Sequence, residues 1–426
     1  LAVAAVNPKK ECLSRLTKPA PLAEVPFLHG RYGPLGSVMS LNRCGALVVL
    51  LVWLPAAGWA QTAPSTPEPC LGISYDSNNP LHILGTSGVD VINGSSGNDV
   101  IWGLGGADQI DGGDGNDTIC GGAGADEIDG GDGDNSIRGG PGNDTITAMY
   151  DTNIVHGDDD DDTITGTGTL YGDDGNDTIT GTVLGEIIYG GAGDDIINAQ
   201  NGDNVVHGNA GNDTIEVGNG DNEVHGGDGN DTITAVTGFN YLEGNGDDDT
   251  IHANGDSSLI GGYGVDTLSC GTGYCYLSGG PGGDFLTTGN GGGYIEGDEG
   301  ADEITVNNAV NVCTVFGGDG ADIIHINATG FVYGGNGNDT ITGGVGQAEL
   351  NGEGDDDTIR AGAGDADIGG GPGNDVLTGG PGINHIYGND GNDTLYGGGG
   401  SDLCDGGADT DTLAPAHQCE TVYSVP

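Results

Sequence analysis

Nineteen aspartates recur down this chain at a nearly fixed interval: Asp90, Asp108, Asp126, Asp144, Asp162, Asp177, Asp195, Asp213, Asp231, Asp249, Asp266, Asp284, Asp302, Asp322, Asp339, Asp357, Asp375, Asp393 and Asp411. The interval is 18 residues except from 162 to 177, 249 to 266, 302 to 322 and 322 to 339. A carboxylate repeated at equivalent places is what a chain needs to hold many hard cations, because such ions take oxygen donors. Two residues after each Asp stands Ile or Leu, from Ile92, Ile110 and Ile128 to Leu395 and Leu413. The unit is nine residues long, as in Gly112-Gly113-Asp114-Gly115-Asn116-Asp117-Thr118-Ile119-Cys120. Numbered one to nine, it has an acid at six, an apolar anchor at eight and Gly-rich positions one, two and four.

The intervening repeats keep the anchor and lose the acid. Their position eight reads Ile101, Ile119, Ile137, Val155, Ile188, Val206, Val224, Leu242, Ile260, Leu277 and Ile295, then Val332, Leu350, Ile368 and Ile386. Their position six begins as Asp99 and Asp117 and drifts through Asn135, Asn153, Glu186, Asn204, Asn222 and Asn240. It passes Ser258 and Cys275 and returns to Asp402. Two columns in register with different chemistry imply a coil of two strands and two turns per 18 residues. One turn edge would be lined by Asp throughout, the other acidic only near its ends. Asn204, Asn222 and Asn240 tolerate left-handed turns and are expected to stack as an amide ladder that needs no ion.

The nonapeptide matches the pattern G-G-x-G-x-D-x-U-x, and from about residue 85 to 414 the sequence resembles the RTX, or haemolysin-type, calcium-binding repeat family. The resemblance implies an all-β fold, a right-handed parallel β-roll (β-solenoid) of 18-residue coils. It also implies multiple Ca2+ ions, each between turns of successive coils and taking ligands from both. The expected ligands are the nineteen Asp above together with Asp99, Asp117 and Asp402. In such a turn, glycines at one, two and four would permit positive φ and aim carbonyls inward, while Thr at seven and Ile or Leu at eight begin a short strand.

Electrostatics argue that the ion is not optional. Coils stacked at about 4.8 Å bring successive carboxylates together, at a cost of roughly 0.9 kcal/mol per pair in water and about 3–4 kcal/mol at an effective dielectric near 20. Summed along the column, this rivals the roughly 5–15 kcal/mol that stabilises an ordinary domain. Metal binding is then expected to supply folding free energy. Nineteen coils would make a rod of roughly 90 Å.

Residues 1–38 share nothing with the repeats and read as an upstream or disordered extension. Met39 opens a secretory leader over 39–60, with Arg43, an apolar run from Ala46 to Leu54 and a small-residue cleavage site at Gly58-Trp59-Ala60. That run is too short for a comfortable membrane span. A Pro-rich linker over 61–80 leads to the roll at 81–414 and a cap at 415–426. Of eight basic residues only Arg138 and Arg360 lie beyond the leader, against 65 acids in the whole chain, whose net charge is −57. Nucleic acid and anionic membrane surfaces are thereby excluded as partners.

Seven cysteines follow the leader, and export permits disulfides. Cys404 and Cys419 flank the last turn and could staple it; Cys270 with Cys275, or either with Cys313, could also pair. His156, His207 and His225 fall at position nine, as do Tyr171, Tyr189, Phe316 and Tyr333. They read as an exterior stripe able to meet a glycan or another molecule, with transition-metal binding by the histidines the lesser reading. The many G-x-G-x-x-G strings are by-products of the repeat and open no helix. Asn-Asp-Thr acceptor triplets lie in the turns and are discounted. There is no Gly-x-Ser-x-Gly elbow and no zinc-protease His pair.

Two function classes remain. The expected one is a secreted, non-catalytic calcium-binding protein that folds on binding Ca2+ and serves as an extracellular, matrix or adhesion component, its glycan or protein partner unspecified. The alternative is a polysaccharide-active epimerase- or lyase-like β-helix enzyme. In families where such repeats accompany enzymes they are appended to a recognisable catalytic domain, which this sequence lacks. The N-terminal leader departs from the C-terminal export signal typical of RTX proteins.

Overall fold

The computed structural model describes residues 72–307, 311–413 and 419, and the backbone of strands Ser37–Leu41, Leu47–Leu51 and Thr421–Tyr423. The extension, the leader and most of the linker therefore lie outside the described residues, apart from the first two strands, which pair antiparallel within the unit Leu1–Ser65. The cap lies outside them too, save Cys419 and the last strand.

In the second unit every interior strand pairs parallel with the strand one coil before and one coil after, and the end strands pair on one side. In the first sheet Ile197, Ile215, Ile233 and Ile251 stand in register. In the second sheet Val206, Val224, Leu242 and Leu259 do the same. No helix occurs among the described residues. The fold is an all-β solenoid of coils of about 18 residues, as the column spacing requires.

Period-two alternation makes the core. Along Thr214–Asn219 of the first sheet and Glu223–Asp228 of the second, position eight is buried while positions seven and nine face outward. Ile215 and Val224 are at most 1% exposed, as are their counterparts through nearly the whole solenoid. Each coil thus buries one large anchor from each sheet, worth roughly 1.5–3 kcal/mol apiece.

One position-eight assignment is corrected. Leu259, not Ile260, is buried in the second sheet, because the coil after Asn240 is one residue short and Ser257, not Ser258, faces it at position six. The deleted residue is absorbed in the turn between Ala253 and Ser257, ahead of the strand, so Ile260 moves to the outer face. Cys404 is bonded to Cys419 and Cys270 to Cys275. Cys313 is a buried free thiol.

Candidate metal-binding edge

The turn that precedes each first-sheet strand is built by backbone conformation. Positions two and four hold positive φ, as at Gly191 (128°) and Gly193 (132°). L-residues resist this region, and where Gly is replaced there the substitutes are mostly Asn or Asp, such as Asn209 (79°) and Asp247 (69°). Position one is Gly for a different reason. Its φ is ordinary, but a Cβ on Gly121 would lie 2.5 Å from Asp126 Oδ2 and 2.7 Å from the Gly139 carbonyl of the next coil. Position-one glycines before Asp177, Asp195, Asp213 and Asp339 are at least as tightly hemmed by the same two oxygens. Every coil therefore carries an oxygen-lined notch that only a missing side chain leaves open.

The Asp column that faces these notches is buried. From Asp108 to Asp393 its members are at most 2% exposed. Each Oδ1 accepts the amide N–H of the preceding column Asp at 2.7–3.1 Å, as Asp231 does from Asp213 and Asp249 from Asp231. Each Oδ2 from Asp108 to Asp411 is buried with no hydrogen-bond partner in the protein, and so is Asp117 Oδ2 on the other edge. An ionised carboxylate left in that state is costly. Its consequence appears in the proton affinities: burial first, with neighbouring carboxylates adding to it, pushes Asp144 and Asp249 up to about 8. Asp195, Asp231 and Asp357 are raised to about 7. The amide N–H bond to each opposes the rise without cancelling it.

The donor set fits a hard cation. Among the described residues no group of three or more His, Cys, Asp or Glu side chains converges on a point. An ion on this edge would take its other ligands from turn carbonyls, a mixture that suits calcium and not the softer transition metals. Asp90 and Asp99, in the first coil, are placed differently. Their Oδ2 atoms already accept from the backbone N–H and hydroxyl of Thr86 and Ser95, at 2.6 and 2.8 Å in each case. Asp402 is buried and accepts from Asn384 through its Oδ1.

On the opposite edge the notch is filled or bridged. Position one carries Ala199, Val217, Ala235, Ala253 and Val306, all fully buried. Asn204 Nδ2 donates to the Gly202 carbonyl (3.2 Å) and to Asn222 Oδ1 (3.1 Å). Asn222 Nδ2 donates to Gly220 O (3.2 Å) and Asn240 Oδ1 (2.9 Å). These are the position-four carbonyls of their own turns. An amide hydrogen thus occupies the place a cation would fill, and the ladder of amides is continuous.

Two features escaped the sequence reading. Position one is Gly five residues before every one of the 22 candidate ligands and apolar at many of the remaining turns, a correlation that was available to be read. An exposed second ladder also runs the other way at position five, where Asn212 N–H donates to Asp194 Oδ1 (2.8 Å) and Asn230 N–H to Asn212 Oδ1 (2.9 Å). The recurrence of Asn and Asp at 176, 194, 212, 230 and 248 was its signature.

The position-nine residues form the expected exterior stripe. His156, Tyr171, Tyr189, His207 and His225 stack in one run with centroids 4.3–5.0 Å apart, and Phe316 stacks on Tyr333 at 5.0 Å. His156 and His225 each face a carboxylate, Asp173 at 2.7 Å and Glu243 at 3.0 Å.

The family model described as RTX calcium-binding nonapeptide repeat matches residues 84–119, 121–146, 189–224, 225–258, 331–348, 348–377 and 378–413, together just over half of the chain. No curated protein matches it.

Proposed function

The chain belongs to the RTX calcium-binding nonapeptide repeat family, and on that premise we propose that it is a secreted, non-catalytic protein whose solenoid folds around a one-sided column of calcium ions. The observation that carries this reading is the row of buried Oδ2 atoms without partners, each facing a notch kept open by glycine. The column from Asp108 to Asp411 would hold the ions with turn carbonyls. Asp117 and Asp402 would extend the set to the ends of the second edge, and Asp90 and Asp99 would join it on release of their Thr86 and Ser95 bonds. Calcium supplies charge neutralisation there, turning mutual repulsion into shared attraction. The protein's own part is to bury the carboxylates, to fix each Oδ1 by an amide bond and to exclude competing side chains from the notch. An extracellular setting supplies calcium at the millimolar level that weak extracellular modules use.

A calcium titration followed by far-UV circular dichroism, on protein beginning at Gln61, tests the proposal. Strand signal gained cooperatively with calcium, and not with an equal ionic strength of sodium, is the expected outcome. A spectrum indifferent to calcium and to chelator would rule it out. Incubation of the calcium-loaded protein with alginate, pectin, ester and peptide substrates addresses the enzyme alternative, and turnover would overturn the non-catalytic assignment.

A further inference from the structure

A second site lies on the outer face of the second sheet, away from the carboxylate column. At position seven, Tyr241, Ser258 and Tyr276 stand in register on three successive coils. At position five beside them stand Phe239, Asp256 and Tyr274. The middle coil therefore places a serine and an aspartate between two pairs of aromatic residues, Tyr241 and Tyr276 at position seven and Phe239 and Tyr274 at position five. The interruption is a groove lined by Phe239, Tyr241, Asp256, Ser258, Tyr274 and Tyr276.

The rings that flank this gap are backed on their far sides. His225 lies against Tyr241 at 5.8 Å, and Tyr294 stacks on Tyr276 at 5.7 Å. Their hydroxyls are tied down as well, Tyr241 donating to Glu243 Oε2 (3.3 Å) and Tyr276 to Glu296 Oε2 (2.5 Å). In the same molecule, rings one coil apart stack at about 5 Å. Two coils therefore separate Tyr241 and Tyr276 by about twice the strand spacing, roughly 10 Å. A group centred between them would meet each ring at ordinary stacking distance. Phe239 and Tyr274, 68% and 50% exposed, add a second pair of walls.

Charge selects the occupant. Asp221, Glu223 and Asp256 also border the groove, and no cationic side chain does. Asp221 Oδ1 and Asp256 Oδ1 accept the Phe239 and Tyr274 amide N–H groups (3.0 and 2.7 Å), which fixes both carboxylates at the rim. Aromatic faces with carboxylates around them attract a positive charge, and the strong net negative charge of the chain raises the local concentration of cations. An anionic polysaccharide is repelled by the same groups. We propose that the gap between Tyr241 and Tyr276 is a binding site for an organic ammonium group, of the methylated kind, carried by a small molecule.

Isothermal titration of the calcium-loaded full chain with choline chloride, at constant ionic strength, tests the assignment. One equivalent should bind. Ser258→Tyr, which completes the aromatic column without disturbing the core, should abolish that binding while leaving the circular dichroism spectrum intact. Asp256→Asn, which keeps the acceptor for Tyr274 and removes the charge, should weaken binding by roughly three- to tenfold. Absence of choline binding by the parent chain, or binding undiminished in Ser258→Tyr, overturns the proposal. So does binding of glucose in the same site with none of choline, which would make it a sugar slot.

Discussion

The two turn edges of the solenoid share one backbone path and solve the same problem with opposite chemistry. On both, residues at position six lie buried, and the side-chain oxygen of a column residue such as Asp231 or Asn222 accepts the amide N–H of the coil before it. On the first edge the second atom is a carboxylate oxygen without a partner, facing a notch that glycine keeps open. On the second edge, over its middle, that atom is an amide nitrogen bonded to a turn carbonyl, and a buried Ala or Val fills position one. The difference shows that Asp at position six and Gly at position one are a single device. Either residue without the other leaves a buried charge with no space for an ion, or a space with nothing to hold one.

The largest effect should come from closing a notch. Gly226→Ala would drive a methyl group against Asp231 Oδ2 and the Gly244 carbonyl, and should cost roughly 2–4 kcal/mol in calcium. Adding Asp231→Asn recreates the pairing seen at Ala199 and Asn204, and should recover at least half of that loss. Denaturant midpoints for the two single variants and the double give the coupling directly; strict additivity would break the link between the two positions.

Next comes pH, in chelator. Asp144 and Asp249 are pushed up to about 8, Asp195 to about 7 and Asp213 to about 6 in the folded chain, against about 3.9 for an unfolded Asp. Between those values the folded state holds protons that the unfolded state has released. Raising the pH therefore favours unfolding, with the loss running from about pH 4 through about pH 8. Metal-free protein should be more folded at pH 5 than at pH 8. With calcium present the order should reverse, because protons and ions compete for the same oxygens. A calcium-free protein equally folded at both pH values would contradict the burial of the column.

A smaller loss should follow Asn222→Asp, which places a carboxylate beside the buried Val217. It should cost roughly 1–3 kcal/mol and gain nothing from added calcium, in contrast to every Asp on the first edge. The smallest belongs to the outer ladder. Asn212→Ala removes the acceptor for the Asn230 amide at an exposed turn and should cost about 0.5–1 kcal/mol, measured as a shift in thermal midpoint.

Much of this was legible in the sequence because a solenoid makes spacing and space the same thing. Asp and Ile columns at 18-residue intervals are contacts between coils, so periodicity alone gave the sheets, the core and the candidate ligands. The amide ladder at Asn204, Asn222 and Asn240 was legible for the same reason. Where the period breaks, the reading weakens. Between Asn240 and Cys275, Leu259 and Ile260 are adjacent and equally apolar, so only the place where the backbone absorbs the deleted residue decides which one turns inward. The role of position-one glycine was hidden differently. Glycine was read for its freedom at positive φ, which holds at positions two and four, whereas at position one it serves by the absence of a side chain. The hydroxyl bonds of Thr86 and Ser95 to Asp90 and Asp99, repeated at Thr182 and Glu186, follow no fixed interval and leave no periodic trace.

Calcium on the Asp edge and not on the Asn edge is what most sharply separates the two edges. Anomalous scattering from crystals of the calcium-loaded protein, collected where calcium scatters anomalously, locates the ions without reference to the fold. The account predicts a row of peaks beside Asp195, Asp213, Asp231 and Asp249, one coil apart, and none beside Asn204, Asn222 and Asn240. Peaks of equal height along both edges, or none along the Asp column, would contradict it.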